Sequence, residues 1–305
     1  MKEGYEIIDF RCRAPIKSQK MIFDLKLGRL KWENKFNCIP SQATSPSMYK
    51  VGEEEGLELL LKEMDEAGVD YIVFPGRNLS KPPKAVLKES DVDTLNVTDE
   101  MLHKLKEKFN NRAFGYHGIN LDKSIDEIVN DINSAIKEKN LYGSVLETGF
   151  YTDERGEPLK LNNKNLYPIY ETMVTLNKPL MLMSGIYAGH DIEANSWGPL
   201  DRVLQDFPKM KVILGHGGYP RVYDSVALAV KHPNLYLSPD IYCFFPGGRL
   251  YVETMSLLPD QFVFASAYPF SPMKEAVELT FELFNLKEDV LRKYLYDNGA
   301  KLLEI

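Results

Sequence analysis

Two arginines stand at the end of an apolar run near the amino terminus, in the sequence YEIIDFRCRAP. Such a run predicts a strand, in which alternate side chains share a face, so Asp9, Arg11 and Arg13 are expected on one side. Ile8, Phe10 and Cys12 are expected on the opposite side. A planar guanidinium group matches a carboxylate through two parallel hydrogen bonds, so this pair is suited to holding an anionic substrate. The alternative is that nearby carboxylates neutralise both arginines.

Other polar side chains follow apolar runs farther along the chain: Arg77, His117, Glu147, His216 and Asp240. In a closed barrel of parallel strands, the carboxyl ends of the strands meet at one mouth, where active sites lie. His216 stands in LGHGG, and an imidazole with a pKa of about 6.5 can act as a general acid or base. For Glu147 and Asp240 the alternative is charge balance for the arginines. For both histidines the alternative is a structural hydrogen bond or plain packing.

The elements that would position these residues alternate between short apolar runs and amphipathic helical stretches, which is typical of a parallel sheet built from βα units. The runs predict strands near 5–15 and at 71–75, 113–118, 142–147, 179–185, 211–218, 235–240 and 262–266. The helical spacing predicts helices at 53–67, 98–109, 124–139, 165–176, 219–230, 274–284 and 288–303, and one that ends at 207. About eight βα units predict a (β/α)8 TIM barrel in one domain over residues 1–305.

One segment does not fit this alternation, because residues 14–50 form an irregular stretch with several prolines. The stretch is too long for an ordinary connection between a strand and a helix. It follows the arginine pair directly, so we expect it to cover the barrel mouth and to contribute to the substrate site.

The composition excludes several classes of protein. The chain has 305 residues, of which 44% are hydrophobic, and a net charge of −7, which opposes general binding to nucleic acid or to an anionic membrane. The three cysteines, Cys12, Cys38 and Cys243, are far apart and show no C-x-x-C pair, so neither a disulfide framework nor a cysteine zinc site is expected. No signal peptide or membrane span is recognisable, and we expect a cytoplasmic protein.

Three motifs carry a resemblance to a known family: LGHGG at 214–218, the strand at 179–185 and SAYPF at 266–270. Together they resemble the amidohydrolase-related family typified by aminocarboxymuconate-semialdehyde decarboxylase. The resemblance covers nearly the whole chain and implies a TIM barrel of the metal-dependent-hydrolase type. Members of that family are decarboxylases, hydratases and hydrolases of small carboxylated or aromatic compounds. Most of them hold one divalent metal, usually zinc.

The resemblance also assigns residues. The family's first strand ends in His-x-His, two metal ligands, and Arg11 and Arg13 stand there. Its strand-five histidine falls on Met183, its strand-eight aspartate falls on Ala267, and its strand-six histidine matches His216. Guanidinium and methyl groups cannot ligate a metal, and a thioether is a poor ligand for zinc. We therefore expect no metal and no other cofactor. The resemblance also favours a homodimer.

These residues support three alternatives. The first is a metal-independent enzyme that decarboxylates or hydrolyses a small carboxylated compound, aromatic acids included, with Arg11 and Arg13 as an anion clamp and His216 as general base or acid. Its expected substrate contacts are Arg77, His117, Glu147, Met183, Asp240 and Ala267. The second alternative is a non-catalytic binder of a small organic anion on the same barrel. The third is a metal hydrolase with relocated ligands, for which no familiar ligand spacing occurs.

Overall fold

A parallel sheet in chain order forms the centre of the molecule. The computed structural model describes residues 2–13, 53–80, 96–185, 196–268 and 271–305. The predicted mouth loop at 14–50 lies outside this part. The described residues form seven strands, and each strand pairs with the next along the chain: β1 Ile8–Asp9, β2 Tyr71–Pro75, β3 Ala113–Gly118, β4 Gly143–Leu146, β5 Leu180–Met183, β6 Val212–Gly215 and β7 Leu235–Ser238.

The segment 262–268 closes the sheet into a barrel. Parallel bridges join Phe262 to Leu237 at one edge and Tyr268 to Cys12 at the other edge. The segment occupies the place of the predicted strand at 262–266, but it pairs through isolated bridges only. The amide of Val263 donates to the carbonyl of Leu237 in β7 at 3.0 Å, but the amide of Phe264 leaves the sheet and donates to the carbonyl of Tyr294 at 2.9 Å. The predicted TIM barrel is confirmed.

Helices follow the strands along the chain. Within the described residues they are α1 Glu53–Ala67, α2 Asp99–Lys108, α3 Ile125–Lys137, α4 Tyr167–Leu176, α5 Trp197–Asp206, α6 Val222–Lys231, α7 Arg249–Met255, α8 Met273–Leu283, α9 Glu288–Arg292 and α10 Asn298–Leu303. Thr98 caps α2, and Ser124 forms a capping box with Glu127 at the start of α3. None of the described helices is both long and apolar enough to cross a membrane.

Two of these helices differ from the sequence prediction. Helix α7 was not predicted, because its seven residues are too few to show a clear helical period. The single helix predicted at 288–303 is instead divided into α9 and α10 by a π turn at Lys293–Asp297. The helical pattern continues through that turn, so the sequence gives little sign of the change.

The core has two layers, separated by the sheet. An outer layer fills the space between the strands and the surrounding helices, and it includes Leu182 and Cys12. An inner layer fills the barrel and includes Met181 and Met183. The alternation along β5 shows the two faces, because odd-numbered residues point inward and even-numbered residues point outward. Helix α10 packs against the inner layer through Ala300 and its neighbours.

The first strand is shorter than predicted. Regular pairing ends at Asp9, whose side-chain Oδ1 accepts a hydrogen bond from the backbone nitrogen of Arg11 at 3.0 Å. Ile8 and Phe10 both lie in the inner layer, so the alternation holds as far as Phe10. It ends at this local turn, and Cys12 no longer shares the side of Phe10. Cys12 packs in the outer layer, as expected.

Candidate active site at the strand ends

Three side chains from distant strand ends meet at one point. Arg11 follows β1, His216 follows β6 and Asp240 follows β7. Nη1 of Arg11 donates a hydrogen bond to Oδ2 of Asp240 and lies 3.1 Å from Nδ1 of His216. Nδ1 of His216 lies 3.0 Å from the same Oδ2 atom. The cluster is buried, with 1% of the Arg11 side chain and none of the Asp240 side chain exposed.

The backbone that carries this cluster is unusual. His216, Asp240 and Ala267 have φ angles of 61°, 56° and 59°, in the left-handed region that side chains other than glycine rarely adopt. His216 directly follows β6, Asp240 lies two residues after β7, and Ala267 lies near the end of the segment 262–268. A left-handed residue of this kind costs of order 1–3 kcal/mol and is concentrated at functional sites. The strain therefore marks the same end of the barrel as the ionic cluster.

The pKa values of two buried carboxyl groups at this end are shifted in opposite directions. Burial raises the pKa of Asp240, but the charge of Arg11 and the hydrogen bond with His216 outweigh it, so the pKa lies below its ordinary value. Burial raises the pKa of Asp9 to about 6, against hydrogen bonds from Ser266 that lower it. Asp9 lies at the barrel seam, the junction between β1 and the segment 262–268. Its carboxylate accepts hydrogen bonds from both the backbone nitrogen and the hydroxyl of Ser266.

An aromatic group adjoins the ionic cluster. The ring of Tyr242 meets the ring of His216 edge to face, with 5.3 Å between centroids. Tyr219 stacks on Tyr242 at 4.6 Å with an interplanar angle of 14°, and Phe245 lies 4.9 Å from Tyr242. Sequence reasoning missed these rings, although Tyr219 follows the LGHGG motif directly and the others follow Asp240 within five residues.

Arg77 and Glu147 form a separate ion pair at the ends of β2 and β4. Nε and Nη2 of Arg77 donate to the two carboxylate oxygens of Glu147 at 3.0 and 2.8 Å. The alternation that places Val73 and Val145 in the inner layer directs both side chains to the inside of the barrel. Glu147 pairs with Arg77 and Asp240 pairs with Arg11, so both acids balance arginines, as the charge-balance alternative expects.

The remaining predicted site residues occupy different places. Arg13 is buried, and its backbone nitrogen donates to the carbonyl of Tyr268 at 3.1 Å. Met183 belongs to the inner layer. Ala267 is buried with the outer layer, next to Tyr268 along the chain. Its methyl group offers no polar atom.

His117 does not join the site. Its neighbour Tyr116 points into the barrel, so the ring of His117 points outward toward the helices. There its Nδ1 lies 2.9 and 3.0 Å from the carboxylate oxygens of Asp99, the first residue of α2. A substrate contact of His117 stays a prediction, and the described contact of the ring is the one with Asp99 on the outer side of the sheet.

The described residues do not fit the family's metal centre. Among them, no group of three or more His, Cys, Asp or Glu side chains is placed to hold a metal ion. His216 and Asp240 have suitable atoms, but these atoms contact the guanidinium of Arg11, whose charge repels a dication. Guanidinium groups have no lone pair for a metal to use.

Comparisons with known proteins agree with the barrel. A family model described as Amidohydrolase matches residues 45–305, and no curated protein matches the sequence. An uncharacterised TIM-barrel protein of Bordetella bronchiseptica is 28% identical, with a TM-score of 0.80 and 98% of each chain covered. The match to the family model begins after Arg13, so the first strand lies outside it.

Two further solved structures show the same fold at lower identity. One is 5-carboxyvanillate decarboxylase of Novosphingobium aromaticivorans, crystallised with manganese, at 13% identity and a TM-score of 0.66, with 100% of this chain and 97% of that chain covered. The other is 4-oxalomesaconate hydratase of Rhodopseudomonas palustris, at 16% and 0.62, with 98% and 95% covered. Because the family model spans well over half of the sequence, the chain belongs to the amidohydrolase family.

Proposed function

We propose that the protein is a metal-independent enzyme that decarboxylates or hydrolyses a small carboxylated compound, aromatic acids included. The observation that carries the proposal is the contact of Arg11 with both His216 and Asp240. A buried cation and a proton-transfer group thus stand together at the strand ends of a barrel. This is the arrangement that an acid substrate needs if no metal supplies the positive charge.

Arg11 retains capacity to bind an anion. Within the described part of the chain, its buried Nε atom has no hydrogen-bond acceptor, and a buried donor without an acceptor costs about 1–3 kcal/mol. A substrate carboxylate or a developing oxyanion would satisfy this donor. One well-placed donor of this kind lowers a reaction barrier by roughly 3–4 kcal/mol. Arg13 is proposed as the second arm of the clamp.

His216 is proposed as the general base or acid. It is the ionisable ring of the cluster, and its Nδ1 atom lies 3.1 Å from Nη1 of Arg11 and 3.0 Å from Oδ2 of Asp240. The neutral ring can take a proton from water or from the substrate and return it to the product. Asp240 balances the charge of Arg11 in this scheme, while Arg77, Glu147, Met183 and Ala267 remain proposed substrate contacts.

The aromatic group supports a planar substrate. Tyr219, Tyr242 and Phe245 contact one another beside His216, and aromatic rings favour stacked or edge-to-face packing with another ring. The names of two proteins with the same fold point in this direction as well, because they are a decarboxylase of 5-carboxyvanillate and a hydratase of 4-oxalomesaconate. Both names describe small carboxylated compounds.

The test is a thermal-shift screen of small aromatic and dicarboxylic acids, followed by turnover assays on every acid that raises the melting temperature. A ligand at a hundred times its Kd adds about 2.7 kcal/mol to stability. We expect Arg13→Lys to bind the acid more weakly, because lysine keeps the charge but loses the planar fork. Arg155→Met is the control, since the Arg155 side chain is 82% exposed and pairs only locally with Asp153.

The outcomes separate the alternatives. Turnover that survives treatment with a chelator supports the metal-independent enzyme. Tight binding without turnover of any bound acid supports the non-catalytic binder instead. Unchanged affinity for the acid in both Arg11→Met and Arg13→Met would rule out the anion clamp. The homodimer stays a prediction, which light scattering after size-exclusion chromatography tests.

A further inference from the structure

The neutral ring of His216 can carry its hydrogen on either nitrogen, and the other nitrogen is then the one that accepts a proton. Two polar side chains that contact Nδ1 favour opposite tautomers. Oδ2 of Asp240, at 3.0 Å, can accept a hydrogen bond but cannot donate one when the carboxyl group is ionised. Nη1 of Arg11, at 3.1 Å, can only donate one. Each neighbour therefore favours a different tautomer.

The ionisation of Asp240 decides whether its Oδ2 atom acts only as a hydrogen-bond acceptor toward Nδ1. Its side chain is fully buried, and the charge of Arg11 together with the His216 contact lowers its pKa despite the effect of burial. Asp240 is therefore a carboxylate at neutral pH and accepts hydrogen bonds only. If Nδ1 had no hydrogen, its lone pair would face this carboxylate oxygen, and two acceptors at that distance repel each other.

Arg11 favours an unprotonated Nδ1 less strongly, because its Nη1 atom already donates to Oδ2 of Asp240. That bond joins two full charges and is stronger than a bond to a neutral ring nitrogen. An oxygen of an ionised carboxylate can accept two hydrogen bonds, one from Arg11 and one from His216. Oδ2 of Asp240 accepts hydrogen bonds from both Arg11 and His216 only when Nδ1 carries the hydrogen.

We infer that Asp240 is a positioning residue, which holds His216 with its hydrogen on Nδ1 and so makes Nε2 the proton-accepting atom. The role of Nε2 in the reaction rests on the proposed function, whereas the position of the hydrogen on Nδ1 does not. In the proton transfer an O–H bond of water or substrate breaks, its electron pair stays on oxygen, and the proton forms a bond to Nε2. The resulting imidazolium keeps its bond to Asp240, whose negative charge offsets the new positive charge.

The second oxygen of Asp240 provides a control within the same side chain. Oδ1 accepts a hydrogen bond from the hydroxyl of Ser238 at 3.1 Å, and Oδ2 remains for Arg11 and His216. Removing the Ser238 hydroxyl therefore changes the surroundings of Asp240 without removing the acceptor that faces Nδ1. A role of Asp240 through Oδ2 predicts that this change leaves the tautomer as it is.

The experiment is nitrogen NMR of protein labelled with ¹⁵N-histidine, at a pH at which the His216 ring is neutral. The chain has five histidines, and His216→Gln identifies the signals by their loss. We expect Nδ1 to be protonated and Nε2 to be unprotonated in the wild type. A wild-type ring with its hydrogen on Nε2 would overturn the inference, and this measurement needs no destabilising variant.

The variants then assign the cause. Asp240→Ala should shift the hydrogen to Nε2, because the donor Arg11 then faces Nδ1 without the carboxylate beside it, whereas Ser238→Ala should keep it on Nδ1. Since Asp240→Ala leaves a buried arginine without its partner and can unfold the protein, Arg11→Lys is the second test, because lysine keeps the positive charge that holds Asp240 ionised. Nδ1 should stay protonated in Arg11→Lys, and a shift to Nε2 there would overturn the role of Asp240. A failure of every acid to bind or react would remove the proposed function but leave this result unaffected.

Discussion

Arg77 reaches Glu147 across the end of β3, where Gly118 leaves room for it. The two side chains are 11% and 12% exposed and join through two hydrogen bonds. A Cβ atom at Gly118 would lie 2.6 Å from both Cα and the backbone nitrogen of Arg77. The ion pair therefore ties β2 to β4 over the intervening strand, and it depends on a glycine in that strand.

We predict that Gly118→Ala destabilises the protein by roughly 1–3 kcal/mol, the usual cost of forcing extra atoms into a packed site. The contact is with backbone atoms, which cannot rotate away as the end of a long side chain can. The free energy of unfolding in urea measures the effect.

Gly198→Ala is the matched control for this change. Gly198 lies in α5, and a Cβ atom there would meet nothing within 4 Å. Because alanine favours a helix over glycine by about 1 kcal/mol, the control should be neutral or slightly more stable. Equal unfolding midpoints for Gly118→Ala and the wild type would contradict the account of the β3 crossing.

We predict a strong energetic coupling between Arg11 and Asp240. Their side chains are 1% and 0% exposed, so Arg11→Met leaves a buried carboxylate without its counter-charge and should cost about 3–5 kcal/mol. The double variant Arg11→Met with Asp240→Leu removes both charges and should be clearly more stable than the sum of the single effects implies. Urea unfolding of the four proteins gives the coupling, and additive effects would show that the ion pair is unimportant.

Much of the fold follows from periodicity in the sequence. The predictions at 53–67, 71–75 and 113–118 coincide with α1, β2 and β3, because each element has a clear apolar pattern and a glycine or an acidic cap at its border. Strand ends were predicted too far along the chain. The apolar pattern of β6 continues into LGHGG, whereas regular pairing stops at Gly215, before the left-handed backbone of His216.

The partners within the site could not be predicted in this way. Arg11 and Asp240 are 229 residues apart in the chain, and their contact depends on how the barrel closes. The outward position of His117 was available from strand alternation, since the large apolar Tyr116 precedes it. The sequence pattern alone does not show that Asp9 bonds to the backbone of Arg11 after β1, so Phe10 and Cys12 were wrongly predicted to share one side.

We predict that the purified protein contains no stoichiometric zinc, manganese or iron. The physical reason is that the guanidinium of Arg11 contacts Nδ1 of His216 and Oδ2 of Asp240, so its positive charge repels a dication at these side chains. Elemental analysis of protein purified without chelators is the measurement. One equivalent of tightly held metal, with activity lost to a chelator, would favour the metal hydrolase with relocated ligands.

The last prediction concerns the pH dependence of stability at the barrel seam. Burial raises the pKa of Asp9 to about 6, from 3.8 when the group is exposed, so the protonated form favours the folded state. The stability that Asp9 contributes is therefore fully present below about pH 4 and is lost as the pH rises through 6. A shift of about two pKa units corresponds to roughly 3 kcal/mol.

Asp9→Asn should reveal this loss, because an amide keeps an oxygen for Ser266 and Arg11 but does not titrate. Between pH 4 and pH 7.5, the free energy of unfolding of the wild type relative to Asp9→Asn should fall by about 3 kcal/mol. Asp289→Asn, at an exposed position of α9, controls for the general effect of removing a carboxylate. The opposite outcome is a difference in unfolding free energy between wild type and Asp9→Asn that stays constant over this range or moves the other way. It would show that Asp9 ionises in the folded protein at no cost, because its bonds to Ser266 and Arg11 outweigh its burial.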